Sequence, residues 1–293
     1  MESEYTKDNP QTWKLAADIE YQYYTKIENE SKADPDNNEL KKKYIETSAK
    51  LLSYCIKYDS LLVLDTKMKP EDKDKEHKIY QPKGVNSAIQ LLQAAQNYSN
   101  SENQEELKQG AKYAEIFINA MENSNLMKDF KHAELEGWKT YSKAFRAQSY
   151  LNIEGTPEET IVNAYKALFN TNFKGIAYQS LMNYYREKDK AKQNLYLQEG
   201  IDALKGDAEQ KDLRANFVTI LMQNQFQAGD KEGFMKTAEI MKNEFADDEN
   251  AVNAYLMEGQ FAFEAKDYET AKKAFLAGSE KYPDDEKCLL MAA

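Results

Sequence analysis

The feature that most limits what this chain can become is a return at a fixed distance. Phe245-Ala246-Asp247-Asp248-Glu249 reappears as Tyr282-Pro283-Asp284-Asp285-Glu286, 37 residues later. Asp230 and Asp267, each placed where a helix needs an N-cap, stand the same 37 apart. Asp189 and Thr156 carry this series of capping positions toward the N-terminus, at spacings of 41 and 33. Two landmarks returning at one distance point to one structural unit copied along the chain, and spacings of this size suit pairs of helices. A helix pair cannot cover its own apolar stripe, so such units stack and share a core.

Composition agrees. Gly (11) and Pro (6) are scarce among 293 residues, so turns are few and helices many. Apolar residues at 41% suffice for a continuous core, and 30% charged residues imply a well-solvated surface. The expected class is all-α: an α-α superhelix of stacked helical hairpins in one domain spanning 1–293. The formal charge is −11, and no segregated basic patch offsets it, which argues against nucleic acid and favours a neutral or basic polypeptide partner. Only Arg146, Arg186 and Arg214 supply guanidinium forks. The N-terminal MESEYTKDNP has no basic-then-apolar targeting pattern, and no run approaches the roughly 18 apolar residues of a membrane span. The compartment stays open between cytoplasm and, were a leader removed, an exported space.

Along the chain, Asn9-Pro10 reads as an N-cap and first helical residue, followed by Trp13, Ala16, Ala17, Tyr21, Tyr24 and Ile27 on one face. The turn 34–38 leads to a second helix through Tyr44, Leu51, Leu52, Cys55 and Leu62. Residues 65–84 alternate in charge without a hydrophobic period and read as an inserted surface loop. Beyond it, Ala88, Leu91 and Ala95 line a helix. Ser101 with Gln104 reads as a capping box. A long helix is expected from about Asp129, and a new one after Gly155-Thr156-Pro157. Lys287–Met291 begins another apolar helix, either a closing one or the next hairpin of a longer array. Six hairpins result.

The residues 251–283 hold the clearest unit. Tyr255, Gly259 and Ala262 share one helical face, and Tyr268, Ala271, Phe275 and Gly278 another, with Pro283 closing the unit. Small residues opposite large ones let two antiparallel helices interlock. This arrangement resembles the tetratricopeptide repeat (TPR), in degenerate form also over about 150–250. Glu258 and Ala262 depart from it, standing where the family prefers Leu and Tyr. The resemblance implies a scaffold whose first helices line a concave groove that holds a peptide or a partner helix. Carried onto this chain, the groove positions are Asn253, Leu256, Gln260, Phe263 and Glu264, with Asn216, Thr219, Gln223, Phe226 and Gln227 one period earlier. Phe226 and Phe263 either face that groove or pack on the next hairpin.

Chemistry is harder to find. His77 and His132 are the only histidines, and neither has an evident nucleophile or ligand partner in sequence. No phosphate-cradling Gly loop, CxxC pair or HExxH helix occurs. The run 34–39 lacks the Gly and Glu of a calcium loop and reads as a capping turn. Cys55 sits in an apolar run as a small buried side chain. The reading is therefore a non-enzymatic protein-binding scaffold with no cofactor and no metal. The competing reading is a glycan or small-ligand binder, with an aromatic platform supplied by Tyr80 at the end of the 65–84 loop. Among adjacent tyrosines, Tyr23 and one of Tyr184 and Tyr185 are expected to be partly exposed.

Overall fold

The computed structural model describes residues 7–285 together with Lys287, Leu290 and Met291. Among these, twelve α-helices carry the architecture, consecutive helices within each compact unit pack on each other, and no strand occurs. The chain forms two compact units, one up to Leu168 and one from Phe169. The apolar helix expected from Lys287 falls largely outside the described residues.

The first unit contains α1 (Pro10–Ala33), α2 (Asn38–Leu64), α3 (Pro70–Tyr98), α4 (Gln104–Asn123), α5 (Leu135–Asn152) and α6 (Glu158–Lys166). Asn9 caps α1 by accepting the Gln11 amide at 3.0 Å, and Asn37 caps α2 by accepting the Glu39 and Leu40 amides at 3.1 Å. The polar run 34–38 thus serves helix geometry. The core gathers Tyr24, Leu51, Leu52, Cys55, Tyr58, Tyr80, Leu91 and Phe117 from α1 to α4. Burial pushes the Cys55 thiol up to about 12, so it stays protonated and inert.

Three local expectations are corrected here. Asn103, not Ser101, caps α4; the Ser101 hydroxyl turns to Glu106, while Gln104 reaches the end of α5. There its amide donates to the Asn152 carbonyl, and its oxygen accepts the Glu154 amide at 2.9 Å. The fifth helix starts at Leu135 rather than near Asp129, because a 3-10 turn at Asn125–Met127 buries Leu126 and Met127 first. Thr156 does not cap α6; its hydroxyl donates back to the Ile153 carbonyl at 2.9 Å.

The larger correction concerns 65–84. Only 65–69 is a connection, and helix α3 begins at Pro70. Pro70 stands in the first turn with Glu71 and Asp72, where a missing N–H and negative charge both suit a helix start. Lys75–Asp72 and Lys78–Asp74 then pair at helical spacing. The apolar period seemed lost because its core-facing places are polar. Glu76, His77 and Tyr80 occupy the phase that continues as Gly84, Ser87, Ala88 and Leu91.

The second unit contains α7 (Lys174–Tyr185), α8 (Lys190–Ala203), α9 (Lys211–Gln227), α10 (Lys231–Glu244), α11 (Ala251–Glu264) and α12 (Tyr268–Lys281). Helices α8, α10 and α12 each span 14 residues and begin after Asp189, Asp230 and Asp267. Each Asp accepts the amide three residues on, at 3.0, 2.9 and 3.1 Å. The turns before α10 and α12 share their closing bonds. Asp230 N–H reaches the Gln225 carbonyl and Asp267 N–H the Ala262 carbonyl, both at 2.9 Å. The residue between helix and cap is left-handed in both, Gly229 at φ 70° and Lys266 at φ 62°. The two helices of the last pair approach closely where Gly259 faces Phe275: a methyl at 259 would overlap that ring. Gly200 meets Phe217 in the same manner.

Candidate functional site

The faces of α9 and α11 place the ten expected contact residues unequally. On α11, Asn253 is half-buried, and Leu256 packs against the cluster of Ala262, Ala271 and Phe275. Gln260 and Glu264 are exposed one turn apart, the Gln260 amide donating to Glu264 at 3.1 Å. Phe263 is 56% exposed and Tyr268, the first residue of α12, 58%. Their rings meet edge to face with centroids 5.4 Å apart. The pair therefore holds a fixed aromatic ledge in solvent, flanked by an amide and a carboxylate.

On α9, Asn216 and Gln227 are exposed, Gln223 is half-buried, and Thr219 is buried with its hydroxyl donating to the Ala215 carbonyl. Phe226 is half-buried, its ring 4.7 Å from Phe261 of α11 and 6.1 Å from Phe234 of α10. The two phenylalanines at one repeat position thus differ: Phe226 is taken up by the following helix pair, while Phe263 stays open. Glu258, one of the departures from the TPR pattern, forms an ion pair with Lys242 of α10, and the Lys242 ammonium lies 4.2 Å from the Tyr255 ring centre. A charge thus bridges neighbouring pairs where the family places a leucine.

Among the tyrosines, Tyr23 is 44% exposed, Tyr184 is partly exposed and Tyr185 is buried, matching the expectation that adjacent tyrosines cannot all face inward.

A second cluster lies in the first unit, where the sequence reading left His77 without partners. Asp59 of α2 is 2% exposed, and its Oδ1 lies 2.6 Å from His77 Nδ1 of α3. The other Asp59 oxygen accepts the Asn125 amide at 2.7 Å. On the far side of the ring, His77 Nε2 stands 3.0 Å from Asp129 Oδ1 and 3.1 Å from the Gln81 amide nitrogen. Gln81 donates to the Leu126 carbonyl at 2.9 Å and to Asp129 at 2.7 Å. Burial opposes charge on the ring, but hydrogen bonds to Asp59 and Asp129 outweigh it and hold the His77 pKa above the ordinary 6.5. A cavity of about 260 Å³ adjoins the cluster, between the end of α2, the start of α3 and residues 125–129.

Next to it, Lys14 pairs with Glu76, which also accepts the Tyr58 hydroxyl at 2.9 Å, and the Tyr80 hydroxyl donates to Asp18 at 2.6 Å. Tyr80 is 1% exposed. The one signal that foretells this network is helical phase: Asp59 falls on the buried stripe of Cys55, Tyr58 and Leu62, and a buried carboxylate demands a partner. Among the described residues, no group of His, Cys, Asp and Glu is arranged to hold a metal ion, and no helix is long and apolar enough to cross a membrane.

A scan against protein-family models matches none, and a search of curated proteins finds none similar to the chain.

Proposed function

We propose that this protein is a non-enzymatic scaffold of the tetratricopeptide kind, an α-α superhelix of stacked hairpins that binds another protein through the first helices of its C-terminal pairs. The observation that carries the reading is the Phe263–Tyr268 ledge. Large aromatics held in solvent on a rigid helix end bury much area at small entropic cost when a partner covers them. Gln260 one turn before the ledge, and Asn253 near the start of the same helix, offer donors and acceptors that match a polypeptide backbone. The recurrent Asp-capped turns and the Gly259–Phe275 interlock support the repeat assignment. A surface carrying −11 favours a neutral or basic partner.

Affinity capture from a native extract, with wild type beside Phe263→Asp, tests the proposal. A protein held by the wild type and lost by the variant, at unchanged helical content, is the expected outcome. Equal retention by both sinks the role of the ledge. The glycan or small-ligand reading loses the platform expected for it, since Tyr80 lies in the core and most of its loop is helix.

A further inference from the structure

The cluster around His77 ties together three pieces of chain: α2 through Asp59, α3 through His77 and Gln81, and the segment after α4 through Asn125, Leu126 and Asp129. Carboxylate oxygens stand within hydrogen-bonding distance of both ring nitrogens, so both contacts are hydrogen bonds only when the ring is an imidazolium. The charged groups around it nearly balance. Asp59 faces it from α2. On α3, Asp74 is paired with Lys78 and Glu76 with Lys14, while the Lys73 ammonium donates to the Val63 carbonyl. Segment 125–129 adds Lys128 and Asp129.

We infer that His77 is a pH-sensitive latch that pins Asp129, at the solvent end of the segment anchored by Leu126 and Met127, beside the adjoining cavity while protonated and frees that end when neutral. The atoms say which bond breaks. Asp59 is buried, so a neutral ring keeps its proton on Nδ1, where loss would leave that carboxylate facing a lone pair. The proton leaves Nε2. Two lone pairs then oppose each other between Nε2 and Asp129 Oδ1, whereas the Gln81 amide, already 3.1 Å away, can turn one N–H to Nε2. That N–H is withdrawn from Asp129 or from the Leu126 carbonyl. Asp129, whose side chain is 71% exposed, moves into water at little cost. The segment thus loses a charge-assisted bond from His77 and one of the two from Gln81. The latch is closed below the ordinary imidazole range and opens as pH rises through the elevated His77 value.

Amide hydrogen exchange of residues 126–130, corrected for intrinsic chemical rates, tests this alongside an NMR titration of the imidazoles with His132 as the second probe. Protection should fall about three- to tenfold as His77 titrates, the equilibrium equivalent of one partly exposed charge-assisted bond. Asp129→Asn, which leaves the buried Asp59–His77 pair intact, should show the low protection on both sides and a lower His77 pKa. Protection that stays level in the wild type, the same pH step in Asp129→Asn, or a His77 ring that does not titrate across about pH 5.5 to 9 would each overturn the latch. None of these readouts involves the Phe263 ledge, so the latch and the scaffold stand or fall separately.

Discussion

At the scale of single residues, the second unit exposes what each position of its repeat tolerates. The left-handed position is Gly229 in one turn and Lys266 in the next, and a lysine pays there for its Cβ. Lys266→Gly should therefore raise stability to urea by about 0.5–1 kcal/mol, whereas a decrease would mean that the lysine side chain makes a contact worth more than the strain. The opposite logic applies to Gly259, whose missing Cβ is the room taken by Phe275. Gly259→Ala should destabilise by about 1–3 kcal/mol through overpacking, read from the same denaturation curves. An unchanged midpoint would show that the two helices slide apart freely. This interlock was legible in the sequence, because small and large residues at fixed helical offsets leave few other partners. The fate of Phe226 was not: its offset matches that of Phe263, but the ring that covers it, Phe261, comes from the following pair.

Among elements, α3 is the instructive one. A stretch of alternating charge looks like a loop when only apolar residues are counted, yet its charges repeat every three to four residues and its inward phase is filled by Glu76, His77 and Tyr80. Polar residues keep the period of a helix while hiding it from a hydrophobic count. Their partners lie 18 to 62 residues away, at Asp59, Lys14 and Asp18, beyond any local pattern. The helix also runs through Pro82, which supplies no N–H to the Lys78 carbonyl and lies exposed. Pro82→Ala should restore that bond and add about 1–3 kcal/mol, with a small gain in helical circular dichroism. No gain in either would show that α3 is already bent to suit the proline. By contrast, the capped starts of α8, α10 and α12 were readable directly, because an N-cap acts on amides two or three residues away and leaves its signal in the local sequence.

For the whole molecule, the separation of roles follows from where the chemistry falls. Both histidines lie in the first unit, and the open aromatic ledge lies in the second. His77 contributes stability below the ordinary imidazole range that fades as pH rises through its elevated value, so the first unit should unfold at lower urea at about pH 9 than at about pH 6. Asp129→Asn should shrink that difference, and an equal difference in the variant would place its origin elsewhere. The scaffold reading rests on the second unit, and its most direct test is hydroxyl-radical footprinting with a captured partner bound. Phe263 and Tyr268, 56% and 58% exposed, should react readily in the free protein, and Tyr23, 44% exposed in the first unit, serves as reference. Selective protection of Phe263 and Tyr268 on binding, with Tyr23 unchanged, is the predicted result. A partner that binds while both ledge residues keep their free reactivity would contradict the account.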